Sequence, residues 1–239
     1  MKKILLVLTG GLLLVALVGG IWLKSRLDQM GSPTFWDSAI EDFESADAEQ
    51  FPEPGLVVFT GSSSIRLWGS LEEDMAPLHV LNRGFGGAHM SHVVHYADRI
   101  ITPYAPRALV VYAGDNDIGA GKSPETVVAD FEALVARVRR SLPDLPVYFI
   151  TIKPSRARWE SWSRMADANA RIAKIAERDA QLTVLDIGAP MLALGGDEAP
   201  PAHLFWIDGL HLTDEGYALW TETIRPQLLA DLGPQRSTE

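Results

Sequence analysis

Two polar clusters in this chain carry residue types suited to acyl transfer. The first is Ser62-Ser63-Ser64, which follows the apolar run Leu56 to Thr60 across Gly61; the second is Asp208 and His211, three residues apart and just before a long amphipathic stretch. Hydroxyl nucleophiles need a base to take the proton, a group to orient that base, and donors for the developing oxyanion. A carboxylate three residues from an imidazole can hold one tautomer of the ring. A serine at a strand-to-helix turn sits where free backbone N–H groups face a developing negative charge. Two more donors are on offer: Gly87 has an unobstructed backbone N–H, and Asn116 has a carboxamide. Spacing alone leaves the choice among the three serines open. Cysteine is absent, so thiolate nucleophiles, disulfides and sulfur-ligated metals drop out. The Gly-x-Ser-x-Gly elbow is also missing, because Ile65 occupies its last position.

These residues have to be brought together by elements that the pattern predicts. Short β-branched or apolar runs at Leu56 to Thr60, His79 to Asn82, Ala108 to Ala113, Val147 to Ile152 and Leu182 to Ile187 read as strands. Longer amphipathic runs at Ser91 to Ile101, Pro124 to Ser141, Glu160 to Asp179 and Asp214 to Leu232 read as helices. Such alternation predicts an α/β domain with a parallel sheet and helices on both faces. Ligands of open parallel sheets sit beyond the carboxyl ends of the strands. Gly61 to Ser64, Gly84 to Gly87 and Gly114 to Asp117 all fall just after predicted strands, and the Asp208 to His211 loop follows the fifth.

With those residues placed, the chain resembles the SGNH or GDSL hydrolase family. Phe59 to Trp68 is similar to its first block, Asn82 to Gly87 to its second, Gly114-Asp115-Asn116-Asp117 to its third and Asp208 to His211 to its fifth. The likeness runs in order from Val57 to Tyr217, with Ser62 where the family name has Asp. It implies a five-stranded parallel sheet in a three-layer α/β/α sandwich of flavodoxin-like topology, with no cofactor and no metal. It implies further that Ser63 is nucleophile and oxyanion donor, that Gly87 and Asn116 are the other donors, and that His211 is the base with Asp208 behind it.

Several residues invite other readings. Asp115 and Asp117 flank Asn116 and could suggest a cation site, but turn chemistry is the commoner role. His89, His92 and His95 recur every three residues without a convincing fourth metal ligand, so they read as surface or supporting histidines. Arg156 and Arg158 follow the fourth strand and could meet an anionic substrate, with solvated loop charge as the default. Phe205 and Trp206 precede Asp208 and are the expected substrate-binding walls, with core packing the competing role.

Composition bounds the partners. There are 21 basic residues, four of them before the first acidic one, against 31 acidic residues, and the formal net charge is -10. A body this acidic repels phosphate backbones, which argues against nucleic acid. From Ile4 to Leu23 no residue is charged, a length of roughly 30 Å as a helix and enough to span a hydrocarbon core. The expected organisation is therefore an N-terminal transmembrane anchor or uncleaved signal over 1–26, a linker with a short amphipathic helix over 27–55, the hydrolase domain over 56–233, and a tail over 234–239. Ser32 and Pro33 are expected to open that short helix, with Glu41, Asp42, Glu44, Asp47 and Glu49 on its solvated face. The body is expected in an extracytoplasmic, periplasmic location. Ala16 and Gly20 form a small-xxx-small pair through which two anchors could associate as a homo-oligomer.

The activity expected is serine ester hydrolysis through an acyl-enzyme, on a small-molecule ester or an acylated glycan. Deacetylation of envelope polysaccharide, and hydrolysis of lysophospholipid or acyl thioester, are the enzymatic alternatives. A catalytically silent carbohydrate-binding module is the rival from another class.

Overall fold

Five apolar segments form one parallel sheet: β1 Val57–Gly61, β2 Val80–Gly84, β3 Ala108–Tyr112, β4 Val147–Ile150 and β5 Leu182–Leu185. The computed structural model describes Gly19 and residues 31–196 and 198–233. Strand order is β2-β1-β3-β4-β5, the doubly wound flavodoxin-like order, whose switch point lies between β1 and β3. At the carboxyl ends of this switch, Gly61 registers with Gly84 on one side and with Tyr112 on the other. Every residue of β1 and β3 is buried, which explains why they read as continuous apolar runs rather than as alternating ones.

The helices are α1 Asp37–Glu49, α2 Ser63–Arg66, α3 Leu71–Met75, α4 Met90–Ile100, α5 Asp115–Gly119, α6 Pro124–Arg139, α7 Trp162–Ala176, α8 Gly188–Gly195 and α9 Asp214–Leu232. Successive side chains of a strand point to opposite faces, so the two sides of the sheet build separate layers. On one side Phe59, Val110, Tyr112 and Tyr148 join Trp68, Leu71, Tyr217 and Trp220 in a single cluster, covered by α2, α3 and α9. On the other side Phe149 of β4 meets Phe131 of α6 with ring centroids 5.0 Å apart. Sheet and flanking helices thus make the three-layer arrangement that the alternating pattern predicts.

Strand positions agree with expectation to within two residues, and α9 has the predicted bounds. Its start follows from Thr213, whose hydroxyl accepts the Gly216 N–H at 3.3 Å as an N-cap.

The short N-terminal helix differs from expectation. Ser32 and Pro33 do not open it, because Ser32 Oγ pairs with Thr34 Oγ1 at 3.3 Å instead of capping, and turn bonds run from Phe35 N to Ser32 O and from Asp37 N to Thr34 O. Helix α1 therefore starts at Asp37, past Phe35 and Trp36. Of the five acids expected on the solvated face, Asp47 alone is withdrawn from solvent, its side chain 12% exposed. Glu44 stays exposed but accepts from Arg99 Nε and Nη2 at 2.7 Å, and Asp47 pairs with Arg83 and Tyr104. Together with fully buried Ile40, these bonds hold α1 within the unit that runs on from Ser38.

The expected membrane segment, apart from Gly19, lies outside the described residues, and so does the 234–239 tail. Among the described residues no helix is long and apolar enough to cross a membrane.

Candidate active site

The site is built where β1 ends. Gly61 has φ +133°, and a Cβ there would stand 1.8 Å from the Tyr112 carbonyl oxygen, so only glycine lets the chain turn this tightly against β3. The turn lets Ser62 N donate to Tyr112 O at 2.9 Å and starts α2 at Ser63. Helix α2 has only four residues and is held from outside. Tyr217 of α9 donates its hydroxyl to Ser64 O at 2.9 Å, and Asn82 Nδ2 donates to Ile65 O at 2.7 Å. Trp68 stacks on Tyr217 at 5.1 Å, so the core cluster and the serine turn share a wall.

The three serines point in three directions. Ser62 is fully buried, and its hydroxyl has no hydrogen-bond partner among the described residues. Ser64 Oγ accepts from Lys153 Nζ at 3.0 Å. Ser63 Oγ lies 3.0 Å from His211 Nε2. His211 Nδ1 lies 2.6 Å from Asp208 Oδ2. An ionised carboxylate can only accept, so Nδ1 carries the ring proton, and Nε2 is left to accept from the serine hydroxyl.

The loop carrying His211 is closed at its base by an antiparallel bridge between Phe205 and Leu212 and by Trp206 N donating to His211 O at 2.7 Å. At its tip Asp208 Oδ1 accepts the Leu210 and His211 amides at 2.9 and 3.0 Å. Burial opposes ionisation of Asp208, but these amide donors and the His211 ring outweigh it and hold the carboxyl below its ordinary range.

Phe205 does not wall a pocket. It is 4% exposed and belongs to the core cluster, because a closed loop base needs an apolar anchor. Trp206 stands outside, 46% exposed, with its ring 5.6 Å from that of His211, and Ile207 beside it is fully exposed.

Gly87 sits in the loop after β2, which Phe85 N ties to Gly61 O at 3.0 Å. Asn116, on α5, donates Nδ2 to Ala88 O at 3.2 Å and so lies against that same loop. The first N–H groups of a helix have no intrahelical acceptor, and the Ser63 amide opens α2. Asp117 is fully buried; it receives the Met90 amide at 3.0 Å and Lys122 Nζ at 2.8 Å, and thereby ties α5 to the start of α4. His89 and His92 stack at 5.1 Å, and His92 Nδ1 accepts the His89 amide at 3.0 Å, so both help to cap α4. Among the described residues no group of three His, Asp or Glu could hold a metal ion.

Two cations contact Ser64 and Asn116. Lys153, just past β4 and 1% exposed, donates to Tyr112 Oη at 2.9 Å as well as to Ser64, and pairs with Asp115 at 3.4 Å. Arg158 is not solvated loop charge. Its Nη1 donates to Asp115 Oδ2 at 2.9 Å and its Nη2 to Asn116 Oδ1 at 2.8 Å. Burial opposes ionisation of Asp115, but the two cations outweigh it and hold the carboxyl low; burial pushes the Lys153 ammonium down, with Asp115 opposing. Lys153 drew no notice in the sequence, although a lone lysine ending a buried apolar strand on the expected rim is itself a signal. Arg156 instead donates to Pro200 O at 3.1 Å.

A hydroxyl, an imidazole and a carboxylate in series, at the carboxyl edge of a 2-1-3-4-5 sheet, place this protein in the class of three-layer α/β hydrolases. Residues 57–219 match the GDSL-like lipase/acylhydrolase family, and the chain belongs to that family. No curated protein sequence matches it. Among solved structures it is similar to a GDSL-like lipase from Bacteroides thetaiotaomicron, at 18% identity over 81% of this chain and 98% of the other, with a TM-score of 0.70. It is also similar to the lipase/acylhydrolase from Enterococcus faecalis, at 19% identity over 77% and 100% of the two chains and a TM-score of 0.63. A carbohydrate esterase family 3 protein from Talaromyces cellulolyticus follows, at 16% identity over 76% and 100% with a TM-score of 0.61. At these identities the likeness establishes the fold.

Proposed function

We propose that this hydrolase is a serine esterase that works through an acyl-enzyme. The observation that carries the reading is the 3.0 Å approach of Ser63 Oγ to His211 Nε2, with Asp208 on the far side of the ring. Ser63 Oγ attacks the ester carbonyl while its proton passes to His211 Nε2. The C–O bond to the leaving alcohol then breaks, and the imidazolium returns the proton to that alcohol. Water repeats the sequence on the acyl-Ser63 and releases the acid. Asp208 holds the ring and stabilises its cation. The Ser63 and Gly87 amides and the Asn116 carboxamide serve as oxyanion donors.

Short acyl groups suit the site, since Phe205 is withdrawn into the core and Trp206 is left as the apolar surface beside His211. A half-exposed indole next to the base also suits a sugar ring, which favours acetylated glycans as a second substrate class.

The test is a series of variants assayed on p-nitrophenyl acetate. Ser63→Ala is expected to lower kcat by about 10⁶-fold, and Asn116→Ala by about 10²- to 10³-fold. Full activity in Ser63→Ala alongside its loss in Ser64→Ala would overturn the assignment. Trp206→Ala, expected to raise KM for acetylated sugars more than for the aryl ester, tests the second class.

A further inference from the structure

Asn116 is held by two neighbours that leave no choice about its orientation. A guanidinium only donates and a carbonyl only accepts, so Oδ1 must face Arg158 and Nδ2 must face Ala88 O. One Nδ2 hydrogen is taken by Ala88, and the other is free to point toward an oxyanion. The same guanidinium fork binds Asp115, which is 4% exposed and also accepts the Asn116 amide at 2.9 Å. Lys153 closes the array from below, bridging Asp115, Tyr112 and Ser64. One carboxylate thus sits between two cations, and the surplus positive charge lies under the donor. Glycine at 114 is what brings the donor there: with φ +120°, it caps α5, and a Cβ would come within 2.6 Å of Ile152.

We propose that Arg158 is a positioning residue for the oxyanion hole. It fixes the Asn116 carboxamide in its donating orientation and polarises it, with Asp115 and Lys153 holding the guanidinium in register. The inference rests on the esterase reading above, in which Asn116 is the side-chain donor. Withdrawal of density from Oδ1 by a charged donor makes the Nδ2 hydrogens better donors along the chain of bonds. The benefit appears only when charge develops on the substrate oxygen, so it belongs in kcat rather than in KM.

The experiment is a double-mutant cycle of Asn116→Ala and Arg158→Ala, with kcat and KM on p-nitrophenyl acetate measured for all four proteins. In the presence of Asn116, Arg158→Ala is expected to lower kcat about 10- to 100-fold, with KM within about threefold. In the Asn116→Ala background the same change is expected to cost less than about threefold, since there is no amide left to position. The cycle is repeated with Arg158→Lys, which keeps a cation beside buried Asp115 and so preserves the fold. A single ammonium cannot bridge two acceptors as the fork does, so its kcat is expected nearer to that of Arg158→Ala than to that of the parent. Equal losses in both backgrounds, or a loss confined to KM, would overturn the inference. Ser63→Ala in the same series separates the two readings. Activity that survives it sinks the esterase reading itself, whereas Ser63-dependent activity with additive Arg158 and Asn116 effects sinks only this inference.

Discussion

Replacing Lys153 by Met is expected to destabilise the fold by about 3 kcal/mol. The ammonium lies 3.4 Å from Asp115 Oδ2 in a site where its side chain is 1% exposed. At an effective dielectric of about 20 that separation gives about 5 kcal/mol of attraction, and desolvation of the ammonium offsets several kcal/mol of it. Asp115 keeps Arg158 and the Asn116 amide, so the loss at the carboxylate falls short of the ~3–5 kcal/mol seen when a buried charge is left wholly unpaired. Ser64 Oγ and Tyr112 Oη each lose a charged donor, which adds about 1 kcal/mol apiece. For a domain of this size, about 3 kcal/mol corresponds to a fall in Tm of roughly 6–12 °C. Calorimetry or circular dichroism melts at pH 7, with urea titrations alongside, read it directly. An unchanged Tm, or a higher one, would refute the reasoning, because the ammonium would then be contributing no more than a methionine of similar volume.

Three further outcomes follow from the same geometry. Asp208→Asn, which leaves the loop shape but lets the ring take the wrong tautomer, is expected to lower kcat by about 10³- to 10⁴-fold on an aryl ester with little change in KM. Ser62→Ala removes a buried hydroxyl that has no partner among the described residues, so urea unfolding should show it as stable as the parent or up to about 1 kcal/mol more so, and a tenfold loss of kcat would contradict that. The carboxyl of Asp115 is held below its ordinary value of about 3.9 by Lys153 and Arg158. Its contribution is therefore complete above that value and is lost as pH falls through the lower folded value. Melts between pH 3 and 6 should show Asp115→Asn less stable at pH 6 and with a shallower acid decline than the parent.

Much of this arrangement is legible before any coordinates, and for identifiable reasons. The strands announce themselves because a strand covered on both faces must be apolar throughout, as Val57 to Phe59 and Ala108 to Tyr112 are. Helix α9 is long, periodic and capped by Thr213, so both of its ends can be read. Helices α2, α3 and α5 are four or five residues long, too short to display a period, and their existence depends on tertiary bonds such as Tyr217 to Ser64. The choice of Ser63 over its neighbours depends on which way each hydroxyl points as the chain enters α2. Spacing does not encode that direction, and only the likeness to a family supplied it. The pairing of Lys153 and Arg158 with Asp115 is not legible, because Asp115 is some forty residues away in the chain and nothing local marks the contact. At the amino end, Ser32 and Pro33 form a plausible helix start on composition, but Ser32 spends its hydroxyl on Thr34.

In the proposed mechanism the hydroxyl of residue 63 is the group that His211 activates. Treatment of the folded protein with a fluorophosphonate, followed by peptide mass spectrometry, identifies the activated hydroxyl. One phosphonyl adduct per chain is expected, on Ser63, abolished by His211→Ala. An adduct on Ser62 or Ser64, or labelling of Ser63 that proceeds as fast without His211, would contradict it.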